Sequence, residues 1–506
     1  MTKRNILLIG FVLLKFLLQY LLFNQEYDLQ RDEYLHLDQA NHLAWGFQSV
    51  PPVTSWISSV IKLFGNSIFW IRFFPALFGA LTITVVWKTI EELKGNLFAL
   101  ILGATCVLFS ALLRLNSLYQ PNSLDVLCWT TFYFILIKYI NTENIKWLFV
   151  GSIVFAIGFL NKYNIAFLLI GLLPAIMLTE QRKVFAKKEF YFAIIIGLLL
   201  ISPNLLWQYK NNFPVFHHLK ALADTQLVNV NRIDFLKEQL FYFIGSIPVI
   251  VASLYALIFY KPFEKFKLFF GVILLTIIVF IYFKAKGYYA IGLYPIYFSF
   301  GSVFLSNKLK TGWKKYFQPV LVAIPIIMYV FLFDIAFSIK SPQYYIENPS
   351  KYQKLGLLRW EDGKDHSLPQ NFADMLGWKE MALKVDSIYS TLPNKDKTLI
   401  LCDNYGQAGA INYYTKHNIK AVSFSADYIN WFDLDTKYEN LIRVKGDDIE
   451  GELKGTSPFF QKATISDSIT NKYAREFGTA IFAFTGAKID IRERLKNEID
   501  EEKNYR

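Results

Sequence analysis

Apolar runs recurring through the first two thirds of the chain constrain its fold more than any other feature. The first, "NILLIGFVLLKFLLQYLLF", fills 5–23. Others follow at about 68–87, 97–113, 124–140, 147–160, 165–178, 190–207, 241–260, 268–283, 288–306 and 317–338. A helix needs about 20 residues to cross a bilayer, and in lipid the backbone must satisfy its own hydrogen bonds, so such runs become helices. The pattern predicts a polytopic α-helical membrane protein with about eleven transmembrane helices. The two runs flanking "NKYN", 161–164, are short. They form thin helices or a hairpin, and either choice leaves the sidedness of later segments unchanged. Composition agrees: 54% of residues are hydrophobic and only 19% charged, against about a quarter charged in soluble domains.

The net charge of +12 has two readings, nucleic acid or membrane surface. With no basic arm or recognisable reader motif, short cytoplasmic loops facing anionic headgroups explain it better. Cys106, Cys128 and Cys402 show no CxxC spacing, which argues against a disulfide framework or a zinc–thiolate site.

Lys3 and Arg4 precede the first run, and "NQEYDLQRDE" follows it in place of a small-residue cleavage site. An uncleaved helix with a cytoplasmic N-terminus is therefore expected. Lys15, in mid-helix, would cost about 2.5–3.5 kcal/mol in lipid, so it faces the bundle or snorkels. Counted from that start, Arg182, Lys183, Lys187, Lys188, Lys261, Lys265, Lys267, Lys308, Lys310, Lys314 and Lys315 fall in inner loops, as the positive-inside rule requires. Segments 24–66, 208–240 and everything beyond about 340 then lie outside. The chain divides into a transmembrane domain, 1–339, and an extracytoplasmic domain, 340–506. In the latter, "KTLILCDNYGQAGAINYYTKHNIKAVSF" predicts strand, helix and strand of a small α/β domain. Gly406 and Gly409 faintly suggest a phosphate loop, but GxxG alone is weak and the rest of a dinucleotide fingerprint is absent. The charged end, "IDIRERLKNEIDEEKNYR", predicts a solvated helix.

The first outer segment carries the densest chemistry. "RDEYLHLDQANHLAWG" has helical spacing, with Asp32 and His36, and Asp38 and His42, each four apart. "SVPPVTSWISSVIKLFG" follows, its prolines ending one helix and seeding another. Two amphipathic helices lying on the outer membrane surface are expected.

These residues, with several segments after them, resemble the bacterial dolichyl-phosphate-mannose–protein mannosyltransferase-like family. Its relatives are glycosyltransferase family 39 and the aminoarabinose lipid A transferases, membrane enzymes of the GT-C fold. The resemblance covers about residues 1–310. An acidic pair, Asp32-Glu33, follows the first span, and a double proline, Pro51-Pro52, comes next. "LFGNSIFWIRFFPALFGAL" places Arg72 where the family has an arginine, and "YQPNSLDVLCWT" offers Asp125. "GFLNKYNIAFLL", "SPNLLWQYKNNFP" and "KAKGYYAIGLYPIYFSFG" continue the order. Each segment is weak alone; their order carries the match. "NYGQAGAINYY", in the tail, resembles a segment of some bacterial members and implies no activity by itself.

The resemblance implies an inverting glycosyltransferase moving a sugar from a polyprenyl-phosphate donor to an extracytoplasmic lipid, protein or glycan acceptor. The expected location is the inner membrane of a bacterium. Such a displacement needs a carboxylate to take the acceptor's proton and cationic or hydrogen-bonding groups for the leaving phosphate. By resemblance Asp32 is the general base, Glu33 supports it or positions the acceptor, and Asp125 enters the same cavity. Arg72, Lys162, Lys284, Lys286, Tyr288 and Tyr289 are the candidates to hold donor phosphate. Helix-end anchoring is the competing role for the basic residues, and an aromatic belt for the tyrosines. Some relatives bind a divalent ion near the outer loops, which makes His36, His217 and His218 candidate ligands. Adjacent loop histidines are more often surface residues, so no cofactor is certain. The aminoarabinose branch often has an acidic–basic pair before the double proline; Ser49-Val50 stands there in this chain. A polytopic transporter or flippase is the alternative, and it would have pseudo-repeated halves and broken helices.

Overall fold

The computed structural model describes residues 2–225 and 227–505. The first helix, α1 (Lys3–Leu21), is inside-out: its two buried residues are Lys15 and Gln19, while Leu13, Leu17, Tyr20 and Leu21 are exposed. Polar residues four apart share one helix face. Here that face packs on α4 (Ile68–Glu92), where a Cβ on Gly79 would collide with Lys15 and Asn116. Lys15 thus faces the bundle, and an apolar outer face suits lipid.

Among the described residues, four helices are long and apolar enough to cross a membrane, or up to seven if each of three bent pairs is one span. The four are α1, α4, the helix Asn122–Thr142 and the helix Lys188–Lys210. The chain is an integral membrane protein, mostly helical, and several of the about eleven spans expected from hydropathy are short or bent helices rather than single long ones. Breaks explain the difference. Pairs such as Arg232–Tyr242 with Ile244–Phe259 bend by 71°, and Lys146–Asn161 and Leu268–Tyr282 are short apolar helices. At "NKYN" the chain leaves one helix at Asn161 and enters another at Ala166, with extended backbone at Lys162.

The first outer segment forms α2 (Arg31–Asp38) and α3 (Val53–Leu63). Only α3 resembles a surface helix, leaving Trp56, Val60 and Leu63 exposed. Residues 33–39 of α2 and its 3-10 extension are buried. The expectation of a membrane-surface helix fails there because the tail covers α2.

Among the described residues, all five strands lie after residue 397: β1 (Thr398–Cys402), β2 (Ala421–Ser423), β3 (Asn440–Lys445), β4 (Phe460–Ser468) and β5 (Ala480–Ala487). The sheet order is β2-β1-β3-β5-β4. β1 is parallel to β2 and β3, and β5 is antiparallel to β3 and β4. Alternation along each strand makes two faces. Leu399, Leu401, Leu441, Phe482 and Phe484 pack under the final helix through Leu495. Ile400, Cys402, Ile442 and Val444 form a core with Trp378, Ala408 and Ile411 that also contains Leu29, Tyr34, Leu35 and Leu37. The segment at α2 is thus part of the α/β region's own hydrophobic core. The expected strand–helix–strand is β1, helix Tyr405–Tyr414 and β2. Its glycines serve packing: a Cβ on Gly406 would meet Arg31, and one on Gly409 would meet Tyr34 and Tyr428.

Candidate active site

The start of α2 is fixed by a capping box: Gln30 Oε1 accepts from Asp32 N at 2.9 Å, and Glu33 Oε2 accepts from Gln30 N at 2.7 Å. Glu33 Oε1 accepts from Tyr119 N at 2.6 Å and pairs with Arg72, whose Nη1 also donates to Ser117 O at 2.6 Å. Glu33 is wholly buried and its oxygens are taken by these donors. Two adjacent acids therefore have different environments. Asp32 keeps partial exposure; Glu33 joins α2, α4 and the loop before Asn122.

Asp32 Oδ1 accepts from Tyr405 Oη at 2.7 Å, and Oδ2 accepts from Gln120 Nε2 at 3.2 Å. The Arg31 guanidinium lies 4.4 Å from the centre of the Tyr405 ring. Burial, followed by the Asp32 charge, pushes the Tyr405 phenol well above its ordinary pKa, so it stays protonated and donates. From Gln120 the bonds continue: Asn122 Nδ2 donates to Gln120 Oε1 at 2.9 Å, and Lys162 Nζ donates to Asn122 Oδ1 at 2.6 Å. Lys162 Nζ lies 5.1 and 4.7 Å from the ring centres of Tyr288 and Tyr289. One polar path thus joins Asp32, Lys162, Tyr288 and Tyr289.

Asp125 stands beside this path but faces inward. Its oxygens accept from Trp129 Nε1 at 3.1 Å and Asn164 Nδ2 at 2.9 Å, and Asn164 Nδ2 also donates to Tyr289 O at 3.0 Å. Lys286 Nζ pairs with Glu361 of the α/β region at 3.0 Å. Arg72 bonds to Glu33 and Ser117, away from the Lys162 path. Lys284 sits at φ 52° just past the helix ending at Tyr282, with no hydrogen bond to these residues.

Among the described residues, no three His, Cys, Asp or Glu side chains are grouped to hold a metal ion. His36 is buried, with Nδ1 3.3 Å from Gln39 Oε1. Burial pushes its pKa down, against the pull of Asp32, which favours the neutral ring. His217 and His218 lie on the helix Pro214–Thr225, where His217 is exposed and His218 partly covered; that partial cover and then Lys286 lower the pKa of His218.

Sequence reasoning missed Gln120, Asn122, Asn164 and Tyr405. The first two stand inside "YQPNSLDVLCWT" beside the acid chosen from it, and Tyr405 opens the helix of "NYGQAGAINYY".

Residues 49–207 match the model of the family described as dolichyl-phosphate-mannose-protein mannosyltransferase. Among solved structures, ArnT from Cupriavidus metallidurans bound to undecaprenyl phosphate aligns over 94% of this chain and 97% of its own, with a TM-score of 0.63 and 12% identity. Its apo state aligns over 95% and 98%, with a TM-score of 0.62 and 12% identity. No curated protein matches the chain in sequence. The chain therefore has the GT-C fold seen in ArnT, and the family resemblance in its sequence is borne out.

Proposed function

We propose that this protein is a glycosyltransferase that moves a sugar from a polyprenyl-phosphate carrier to an extracytoplasmic acceptor, with Asp32 as general base. The observation that carries this reading is the polar path that links a partly exposed carboxylate, Asp32, to a cation, Lys162, through Gln120 and Asn122. The match to a mannosyltransferase family model and the shared fold with an enzyme crystallised with undecaprenyl phosphate support it.

The acceptor oxygen attacks the anomeric carbon as the bond from that carbon to the phosphate oxygen breaks, and the configuration inverts. The acceptor's proton passes to Asp32, and Lys162 and Lys286 offset the charge gathering on the departing phosphate. Tyr288 and Tyr289 supply ring faces that hold the Lys162 ammonium. Asp125 is a positioning residue: through Asn164 it ties the Lys162 turn to the backbone of Tyr289. Loop charges support an outer-side location in a bacterial inner membrane for this site, with residues 340–506 as the extracytoplasmic α/β domain. The lipid, protein or glycan acceptor meets the donor there.

Donor binding tests the assignment. Undecaprenyl phosphate should bind the purified protein, and Lys162→Gln should weaken binding by about tenfold or more, the worth of a charge-assisted hydrogen bond. Unchanged affinity would remove Lys162 from the donor site. Tyr405→Phe has a different signature. Loss of its bond to the Asp32 carboxylate, about 1.5 kcal/mol, should lower kcat roughly tenfold with the donor KM unchanged. A rise in donor KM alone would assign Tyr405 to substrate binding instead.

The three bent helix pairs are what a transporter would show. One of them, the 49° bend after Gly287–Leu293, delivers Tyr288 and Tyr289 to Lys162, so it has a use in the transferase reading. Movement of the intact lipid-linked sugar across a vesicle membrane without transfer would favour the transporter.

A further inference from the structure

Arg72 borders a second crevice that none of Asp32, Lys162, Lys286 or Tyr405 lines. The crevice lies where the end of α1 meets the start of α4 and the end of the short helix Ala111–Leu115, with Phe337 and Ser338 also lining it. The room inside it is small, about 30 Å³, and the open mouth around it brings the empty space to about 420 Å³.

Its polar lining is unbalanced. Lys15 Nζ donates to Gln19 Oε1 at 2.9 Å. An ammonium has only donors, so Gln19 must turn its oxygen to Lys15 and its NH2 away. Gln19 is 7% exposed, and its Nε2 has no hydrogen-bond partner. Arg72 Nε is likewise buried and unpartnered. Arg114 Nη1 donates to Ser117 Oγ at 2.6 Å, and among the described residues no carboxylate pairs with Arg114. An arginine stays charged in a protein, and a half-buried cation without a counter-ion is costly. Asp28 also borders the crevice, but it accepts from Trp378 N, Lys379 N and Tyr414 Oη. Residues carrying two buried orphan donors, and an arginine with no carboxylate partner, therefore line one crevice.

We propose that this crevice binds a phosphate monoester or diester, separately from the donor phosphate at Lys162. The tetrahedral oxygens would take Gln19 Nε2, Arg72 Nε and the free guanidinium nitrogens of Arg114, matching arginine's forked donors. Leu22 and Phe23 line the same crevice, and the exposed apolar face of α1 lies alongside, so an acyl or prenyl chain attached to the phosphate has an apolar path to follow. A lipid headgroup and free phosphate share the recognised chemistry.

The test uses full-length protein in which Lys162→Gln weakens the donor site, titrated with dodecyl phosphate or inorganic phosphate and followed by thermal shift. Saturable stabilisation should persist in Lys162→Gln. Adding Arg114→Gln, or separately Gln19→Leu, should weaken it at least tenfold; the second variant removes one donor and leaves the guanidiniums in place. Tighter binding of dodecyl phosphate than of inorganic phosphate identifies a lipid as the source, and equal binding identifies free phosphate. The proposal is overturned if Lys162→Gln alone abolishes the stabilisation, or if both added substitutions leave it unchanged. Neither readout depends on transfer activity, so the site stands or falls apart from the enzymatic reading.

Discussion

Asp32→Asn is expected to lower glycosyl transfer roughly a thousandfold, within the range a positioned general base contributes. The amide matches the carboxylate in shape. Its oxygen can still accept from Tyr405 Oη, now 2.7 Å from Asp32 Oδ1. Its NH2 would meet the NH2 of Gln120, which now donates to Asp32 Oδ2, so one hydrogen bond is lost at a partly exposed site. Thermal stability should change little, by about 1 kcal/mol. Donor affinity should also persist, because Lys162 reaches the path through Asn122. Loss of turnover with retained donor binding separates a proton acceptor from a binding residue. A variant that binds donor and turns over normally would remove Asp32 from the chemistry.

The neighbouring acid should behave in the opposite way. Glu33→Ala is expected to destabilise the protein by about 3–5 kcal/mol, the usual cost of stripping one partner from a buried ion pair. Arg72 would lose its carboxylate, and the backbone N–H groups of Gln30 and Tyr119 would lose acceptors now at 2.7 and 2.6 Å. Glu33→Gln should be milder, since it retains an oxygen for one of those donors. A large fall in melting temperature for Glu33→Ala, with residual activity per folded molecule, fits a structural clamp. An unchanged melting temperature with lost turnover would place Glu33 in the chemistry beside Asp32.

Much of this arrangement was legible in the sequence because charge is conspicuous in an apolar chain. Lys162 interrupts two greasy runs, and Lys286 and Tyr288-Tyr289 stand together where a span begins. The resemblance had placed them on the donor phosphate, and the structure brings them close to one another. Amides were harder to find. Gln120, Asn122 and Asn164 carry no charge, and their use depends on which neighbour each oxygen and NH2 meets in three dimensions. Tyr405 was beyond reach for another reason: it is 373 residues from Asp32 in sequence. The burial of α2 is similarly nonlocal, since its alternating polar and apolar residues suit a surface helix until Gly406 and Gly409 let another helix close over Arg31 and Tyr34. The breaks within the apolar runs were not legible, because hydropathy registers apolar length and not the bends that divide it. Arg72 was drawn to donor phosphate by its place in the motif; its pairing with Glu33 and its place at the second crevice were not legible there.

The most direct test of the central claim is mass analysis of envelope glycolipids and glycoproteins from cells carrying the gene, lacking it, or expressing Asp32→Asn at the wild-type level. The predicted result is one sugar missing from one class of acceptor in the second and third strains and restored by the wild-type chain, with the polyprenyl-phosphate sugar accumulating. Identical envelope profiles in all three, or full restoration by Asp32→Asn, would contradict it.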